Sequence, residues 1–297
     1  TLAMAYRNLG WGYFRHYQDN EKAIFYYEKA IALNDNEAIF YTELDNLYEL
    51  NNSPIEDRLD IFEGKDKVVN ARDDAFVRQI MVLTLAGEPD KSVELLKDKE
   101  FSYREGSSRV REVIIDAYLK SGLKHMEYND YQAALDNFIL AQVPDEEAGS
   151  ARNGNRDIQV NYFIGTAYKE MDEIKKANLH FNRSISEETS DRSGIMNYYK
   201  GLSLLELGKQ KEAYAIFNTL IQKGESLLED NAKRANNYFS IFGEKERESV
   251  RKSRAHTLVG LGYKGLSKPS KSKQHLEKAV ELSASNLWAN TELLKIN

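Results

Sequence analysis

Apolar side chains recur along the chain at intervals of three and four residues, which is the spacing of one face of an α-helix. The segment from Asn161 to Tyr168 shows such a stripe, and a second stripe through Ala177 and Phe181 follows it. Two helical stripes in succession predict a hairpin of two packed helices. The same pair of stripes returns after about 34 residues or more, so the pattern predicts an array of repeated hairpins.

A glycine marks the first helix of most hairpins. It occupies the same position of the first stripe at Gly10, Gly122, Gly165, Gly201 and Gly260, with Asp45 and Ile80 in the two other hairpins. The second stripe has a small residue twelve positions later, at Ala23, Ser92, Ala134, Ala177, Ala213 and Ser272, with Asp57 in the second hairpin. The first hairpin needs one extra residue in its turn to keep this spacing. A bulky residue follows four positions later, at Tyr27, Ile61, Leu96, Phe138, Phe181, Phe217 and Leu276. Because glycine within a helix costs about 1 kcal/mol relative to alanine, we expect the glycine to permit a close contact between the two helices.

The prolines mark where the second helices begin. Three of the four prolines, Pro54, Pro89 and Pro269, share one position in their hairpins. A helix tolerates proline in its first turn, where the missing N–H has no partner within the helix. The preceding position holds Asp19, Ser53 and Asp130, which are predicted N-cap residues.

These residues resemble the tetratricopeptide repeat family, whose pattern is an aromatic residue, Leu-Gly, Tyr, then Ala, an aromatic residue and Ala. The first hairpin carries this pattern as Tyr6, Leu9, Gly10, Tyr13, Ala23, Tyr27 and Ala30. The second and third hairpins depart from it, because Asp45 and Ile80 replace the glycine. The resemblance implies an all-α fold, a right-handed α-α superhelix of about seven helical hairpins.

We expect residues 1–297 to form one solenoid domain. Its predicted hairpins cover about residues 3–36, 38–71, 73–106, 107–148, 158–191, 194–227 and 253–286. Three of the distances between equivalent positions of successive hairpins are longer than the repeat of about 34 residues. A longer first helix in the fourth hairpin, a polar loop at 144–157 and a helical insertion at 225–254 account for them, and a final helix is expected at 286–297.

The order of these long intervals resembles a more specific group of large bacterial proteins. In that group a C-terminal tetratricopeptide region follows an N-terminal domain that resembles a galactose-mutarotase-like β-sandwich. The chain begins at Thr1 rather than Met, and we expect it to be part of a longer polypeptide. Residues 2–14 are largely apolar, although the end hairpin of a solenoid normally has a polar outer face. We therefore expect an upstream domain of the same polypeptide to cover the first hairpin.

Composition and charge narrow the classes of function. Only 4 Pro and 17 Gly occur in 297 residues, too few turn residues for an all-β chain. The net charge of −6 argues against a nucleic-acid partner, which needs a basic surface. Cysteine is absent, so disulfides and thiolate chemistry are excluded. The longest uncharged stretches fall short of a membrane span, and we predict no membrane insertion.

No motif predicts catalysis, a cofactor or a metal. The string Gly260–Gly265 matches the GxGxxG pattern of dinucleotide sites, but it lies in a predicted helix without a preceding strand, so it predicts helix packing. None of the histidines has a His, Asp or Glu four residues away, the spacing of a helical metal site. We expect His125 and His256 to be partly buried, and His180 and His275 to face solvent. Paired carboxylates of a helical glycosidase are a further alternative, which the repeat length disfavours.

Because no motif predicts catalysis and the charge disfavours nucleic acid, we expect the chain to bind a partner on a surface of complementary shape. In the family the first helices line a concave groove, and the resemblance implies that these candidate residues point into it: Arg7, Trp11, Phe14, Asn46, Arg78, Tyr162, Thr166 and Tyr198. An arginine beside aromatic residues is typical of a binding hot spot, although several of these aromatic residues could instead pack between hairpins. We predict a noncatalytic protein-interaction scaffold that binds a peptide, a protein or its own upstream domain. The alternative is an accessory part of a carbohydrate-active or carbohydrate-binding bacterial polypeptide.

Overall fold

The computed structural model describes residues 1–97, 99–101, 108–143, 156–188, 194–229 and 247–296. The regular elements of this part of the chain are helices. They form two compact units, which divide between Ser121 and Gly122 within one helix. None of the described helices combines the length and the apolar character that a membrane crossing requires.

Helices of the first unit pair in sequence order. They are α1 (Leu2–Gly12), α2 (Asn20–Leu33), α3 (Ala38–Leu50), α4 (Ile55–Asp60), α5 (Asp66–Val69), α6 (Asp73–Leu85), α7 (Pro89–Leu96) and the start of α8 (Ser108–Glu127). Helix α1 packs on α2, α2 on α3, and α6 on α7. The core of the unit lies between these layers and includes Phe40, Tyr41, Phe76 and Ile80.

The second unit continues the hairpins. Its further helices are α9 (Tyr131–Leu140), α10 (Asp157–Glu170), α11 (Ile174–Ser186), α12 (Ile195–Glu206), α13 (Gln210–Glu229), α14 (Glu248–Gly265), α15 (Pro269–Leu282) and α16 (Leu287–Leu294). The first helices α10, α12 and α14 contact one another in turn, so they form one layer. Each first helix packs on the second helix of its own hairpin, α10 on α11, α12 on α13 and α14 on α15.

The close contact between the two helices of a hairpin, predicted at the glycine position, is confirmed. A Cβ atom built on Gly165 would lie 2.6 Å from Cε1 of Phe181, and one on Gly201 would lie 2.5 Å from Cε1 of Phe217. Gly10, Gly122 and Gly260 face Tyr27, Phe138 and Leu276 in the same way. The bulky residue of each second helix therefore packs against a first-helix backbone that lacks a side chain at that point.

The GxGxxG string is part of this packing. It lies within α14, where Gly262 and Gly265 face α13. A Cβ on Gly262 would lie 2.7 Å from the carbonyl oxygen of Phe217, and one on Gly265 would lie 2.5 Å from the Phe217 ring. The prediction that these glycines serve helix packing is confirmed.

In the second hairpin, the buried positions after the turn are shifted by one residue from the predicted ones. Asp57 and Ile61 were expected to face the core, but Arg58 and Phe62 are the buried residues. The physical reason is the carboxylate of Asp45 at the glycine position, which holds the Arg58 side chain inside the hairpin.

The ends of the helices follow the predicted signals. Asp19 accepts a hydrogen bond from the backbone N–H of Lys22 at 3.0 Å, and Asp130 accepts one from Ala133 at 3.2 Å. Pro89 and Pro269 begin α7 and α15. The prediction of Ser53 as an N-cap is wrong, because Pro54 occupies the N-cap of α4. One π-helical turn, Tyr13–Tyr17, extends α1 and accommodates the extra residue of the first hairpin.

Several predicted segments lie outside the described residues. They include most of the polar loop at 144–157 and of the insertion at 225–254, although α13 extends to Glu229 and α14 begins at Glu248. The final helix is shorter than predicted and ends at Leu294. The division into seven hairpins of one domain stays a prediction.

Candidate functional site

The predicted arginine of the first hairpin is held by the second hairpin. Nε of the half-buried Arg7 donates a hydrogen bond to Oε2 of Glu43 at 2.7 Å, and its Nη2 donates to the other carboxylate oxygen. This bidentate pair joins α1 to α3 and neutralises the guanidinium. Arg7 therefore stabilises the contact between two first helices.

The second predicted arginine is buried. Arg78 is 4% exposed, and its Nη1 lies 2.6 Å from Oε2 of Glu49. Its Nε donates to the Asp45 carboxylate, and its Nη2 donates to the Asp45 backbone carbonyl at 3.0 Å. Because its charge is paired inside the unit, Arg78 links α6 to α3 and does not present a cation to solvent.

Trp11 is the exposed aromatic residue among the candidates of the first unit, with 43% of its surface accessible. The guanidinium of Arg15 lies 5.8 Å from the centroid of its ring, and the His16 ring lies 6.0 Å from it in an edge-on arrangement. Phe14 is half-buried against the cluster that contains Tyr27, and Asn46 on α3 is half-buried. Trp11 thus combines an apolar surface with neighbouring positive charge.

Further apolar side chains are exposed on the same hairpin. They are Leu2, Met4, Leu9, Tyr17, Phe25 and Leu33. Two ammonium groups border its aromatic residues, with Lys29 Nζ 4.3 Å from the Phe25 ring centroid and Lys22 Nζ 5.3 Å from that of Tyr13. We refer to the exposed apolar residues, together with Trp11, as the first-hairpin surface.

The candidates of the second unit lie in a packed aromatic cluster. Tyr198 is 2% exposed, and its hydroxyl donates to Oε2 of Glu292 at 3.3 Å. The ring of the half-buried Tyr162 lies 5.6 Å from that of Tyr199. The Thr166 hydroxyl donates to the carbonyl of Tyr162 at 2.9 Å, within helix α10. Burial raises the pKa of Tyr162 and of Tyr198, so both phenols stay neutral at physiological pH.

Helix α16 covers this cluster. Its Trp288 ring lies 6.0 Å from the rings of Phe163 and Tyr199. Its Glu292 is 3% exposed and accepts hydrogen bonds from Lys264 Nζ at 2.8 Å and from Lys295 Nζ at 3.0 Å.

The charges around Glu292 are closely coupled. Burial alone would raise the pKa of Glu292, but Lys295 and Lys264 outweigh burial and lower the pKa to about 2. Burial lowers the pKa of Lys264, and the neighbouring Glu292 opposes that shift. Glu292 is therefore ionised when α16 is docked.

Comparison with known proteins identifies the architecture. Residues 17–37 match the family model of the tetratricopeptide repeat. A tetratricopeptide repeat protein from Parabacteroides merdae ATCC 43184 is similar in structure, with a TM-score of 0.50 and 12% identity over 98% of this chain and 97% of that chain. The fold is that of tetratricopeptide repeat proteins.

A second relative is the C-terminal part of a TPR repeat-containing protein from Cytophaga hutchinsonii. Its TM-score is 0.41 and its identity is 14%, over 96% of this chain and 98% of that chain. The search of curated protein sequences finds no match.

The tetratricopeptide fold brings His256 and His275, which were predicted to differ in exposure, into contact. Nδ1 of His256 on α14 lies 3.0 Å from Nδ1 of His275 on α15. His180 lies 2.9 Å from the amide oxygen of Asn161. The prediction that His180 and His275 face solvent is wrong, because each is half-buried against the first helix of its own hairpin. Among the described residues, no group of three or more His, Asp or Glu side chains is placed to hold a metal ion.

Sequence reasoning missed Lys264, Trp288 and Glu292. Trp288 and Glu292 are four residues apart, and this spacing places them on one face of α16. That signal is present in the sequence, but it does not say which tetratricopeptide hairpins the face contacts.

Proposed function

We propose that this chain is a noncatalytic protein-interaction module with a tetratricopeptide fold, and that the first-hairpin surface contacts its protein partner. The exposure of Trp11 among other apolar side chains of the same hairpin carries the proposal. Exposed apolar residues mark an interaction site when they are adjacent, and Met4 and Trp11, seven residues apart, lie on one face of α1.

The chemistry of this surface favours a protein partner. Tryptophan and arginine are enriched among residues that dominate binding energy, and here Arg15 lies over the Trp11 ring. The ammonium group of Lys29 beside the Phe25 ring favours a partner with acidic side chains at its rim. Arg15 and His16 beside Trp11 also carry hydrogen-bonding groups, so the test below includes a carbohydrate as the alternative partner.

We favour the upstream domain of the same polypeptide as the partner. The first-hairpin surface lies on the helices that directly follow Thr1, so a preceding domain would be tethered beside it. Tethering raises the effective concentration of a partner, and a modest apolar surface is then sufficient for stable docking.

The test uses Trp11 as a fluorescent reporter. The chain has two tryptophans, and Trp288→Phe leaves Trp11 alone. Acrylamide quenching and the melting temperature are compared between this chain and a longer polypeptide that carries the upstream domain. The proposal expects weaker quenching and a higher melting temperature in the longer polypeptide, and expects Trp11→Ala to abolish the gain in melting temperature.

Tyr128→Ala is the matched control, because Tyr128 is an exposed aromatic residue of the second unit. The Tyr128→Ala variant should keep the gain in melting temperature that the upstream domain provides. Equal quenching and equal melting in the two polypeptides would exclude docking on this surface. Protection of Trp11 by a soluble oligosaccharide, without protection by the upstream domain, would favour the carbohydrate alternative instead.

A further inference from the structure

The hairpin of α14 and α15 holds two histidines whose ring nitrogens face each other. Nδ1 of His256 on α14 lies 3.0 Å from Nδ1 of His275 on α15, and the two ring centroids are 5.1 Å apart at an interplanar angle of 40°. Both side chains are half-buried, so solvent still reaches them. We refer to these two residues as the histidine pair.

The hairpin of α10 and α11 makes the same contact with a single histidine. There Nδ1 of His180 lies 2.9 Å from the amide oxygen of Asn161. Both contacts join residues nineteen positions apart, so the two hairpins use equivalent positions. Asn161 therefore stands where α14 has His256. One histidine and one asparagine are sufficient for this helix contact, and packing alone does not require the second imidazole.

The facing nitrogens of the histidine pair can share one proton. One Nδ1 then donates and the other accepts. Burial is the main cause that lowers the pKa of both His256 and His275, so both rings are neutral at physiological pH. If the proton of the donating ring moves to its own Nε2, both Nδ1 atoms carry lone pairs. Two lone pairs that face each other repel unless a cation lies between them.

The spacing of the two nitrogens matches that of two ligands of one metal ion. Imidazole nitrogens bind Zn²⁺ at about 2.0–2.1 Å, so two of them lie about 2.9 Å apart at a right angle and about 3.3 Å apart at the tetrahedral angle. The observed distance of 3.0 Å lies between these values. The ion can therefore bind through a rotation of the rings, without a movement of α14 or α15.

The charges around the histidine pair indicate the class of ion. Besides burial, three lysines lower the pKa of one or the other imidazole and two glutamates raise it, namely Lys252, Lys271, Lys278, Glu225 and Glu281. Because these charges nearly cancel, they provide no strong attraction for a cation, and affinity has to come from the imidazoles. Ca²⁺ and Mg²⁺ bind through oxygen ligands, whereas imidazole suits Cu²⁺, Ni²⁺ and Zn²⁺.

We propose that the histidine pair is a binding site for a divalent transition-metal ion, held by Nδ1 of His256 and Nδ1 of His275 with water at the remaining positions. The general affinity order of divalent ions places Cu²⁺ above Ni²⁺ and Zn²⁺. Since the two ligands come together only in the folded hairpin, the ion joins α14 to α15 and stabilises the second unit. The proposal uses no residue of the first-hairpin surface and is independent of the proposed function.

The test is a calorimetric titration of the metal-free chain with Cu²⁺. The proposal expects one ion per chain in the tightest class of sites, and at least about tenfold weaker binding after His256→Asn or His275→Asn. His256→Asn reproduces the histidine–asparagine contact of α10 and α11, so the helix packing is retained. His180→Asn is the matched control, because it removes the equivalent histidine of that other hairpin, and it should bind Cu²⁺ as tightly as the unaltered chain.

Two further measurements report on the ligands and on the link between the helices. Electron paramagnetic resonance of the chain with one equivalent of Cu²⁺ should show coupling to two imidazole nitrogens, and the His256→Asn chain should lose this signature. Cu²⁺ should raise the melting temperature of the unaltered and the His180→Asn chains, but not that of the His256→Asn chain. Ni²⁺ and Zn²⁺ should bind the same site more weakly than Cu²⁺.

Three results would overturn the proposal. The first is equal Cu²⁺ affinity of the unaltered and the His256→Asn chains. The second is an equal loss of affinity after His180→Asn, which would place the ion elsewhere. The third is a Cu²⁺ spectrum of the unaltered chain without two coupled imidazole nitrogens. If circular dichroism shows that a variant fails to fold, this spectrum decides alone, since two imidazole nitrogens support the site and one or none contradicts it.

Discussion

Arg58 and Asp45 form a fully buried ion pair, and Asp45 holds the position at which most other hairpins have a glycine. Nε of Arg58 lies 2.7 Å from Oδ1 of Asp45, and both side chains have 0% exposure. Arg78 donates to the other carboxylate oxygen, so one carboxylate serves two guanidinium groups. The second hairpin therefore replaces an apolar helix contact by a polar one.

Removal of Asp45 should destabilise the first unit strongly. Asp45→Ala leaves two buried arginines without their shared carboxylate, and we expect a loss of about 3–5 kcal/mol in the free energy of unfolding. Glu94→Ala, which breaks the exposed pair with Lys97, should cost less than about 1 kcal/mol. Urea denaturation of the two variants measures both values, and similar losses would contradict a special role of the buried network.

A methyl group at Gly165 should be costly although alanine is the better helix former. Its Cβ would lie 2.6 Å from Phe181, so Gly165→Ala forces the ring or the helix to shift, at a cost of about 1–3 kcal/mol. Gly12→Ala is the matched control, because no heavy atom of the described residues comes within 4 Å of its Cβ. We expect that control to be neutral or to stabilise the protein by up to about 1 kcal/mol. Thermal melting distinguishes the two, and a stabilising Gly165→Ala would refute the assigned contact.

Much of the fold could be predicted because the contact between Gly165 and Phe181 repeats at a fixed spacing. The spacing failed in the second hairpin, where Arg58 rather than Asp57 is buried, since a charge network decides which residue faces the core. The candidate site was harder to predict. Position within the repeat placed Tyr198 on a first helix, but it could not show that α16, joined to the array by a short turn, lies over that residue.

Docking of α16 should weaken in acid. The pKa of Glu292 falls from its ordinary value of 4.5 to about 2 in the docked state, because Lys295 and Lys264 outweigh the opposing effect of burial. A lowered carboxyl pKa contributes stability above pH 4.5, and that contribution is lost as the pH falls toward 2. In the chain with Trp11→Phe, the Trp288 emission should therefore shift red over this range. Glu292→Gln should remove that part of the pH dependence, and an identical acid profile in both chains would show that Glu292 does not control docking.

Hydrogen–deuterium exchange tests the central claim most directly, namely that the first-hairpin surface is the contact surface of this module. Exchange is compared between this chain and the longer polypeptide that carries the upstream domain, with helix α11 as the internal reference. The account predicts that amides of α1 and α2 exchange at least about tenfold more slowly in the longer polypeptide, while those of α11 are unchanged. Equal exchange of α1 and α2 in both polypeptides, or slowing confined to other helices, would contradict it.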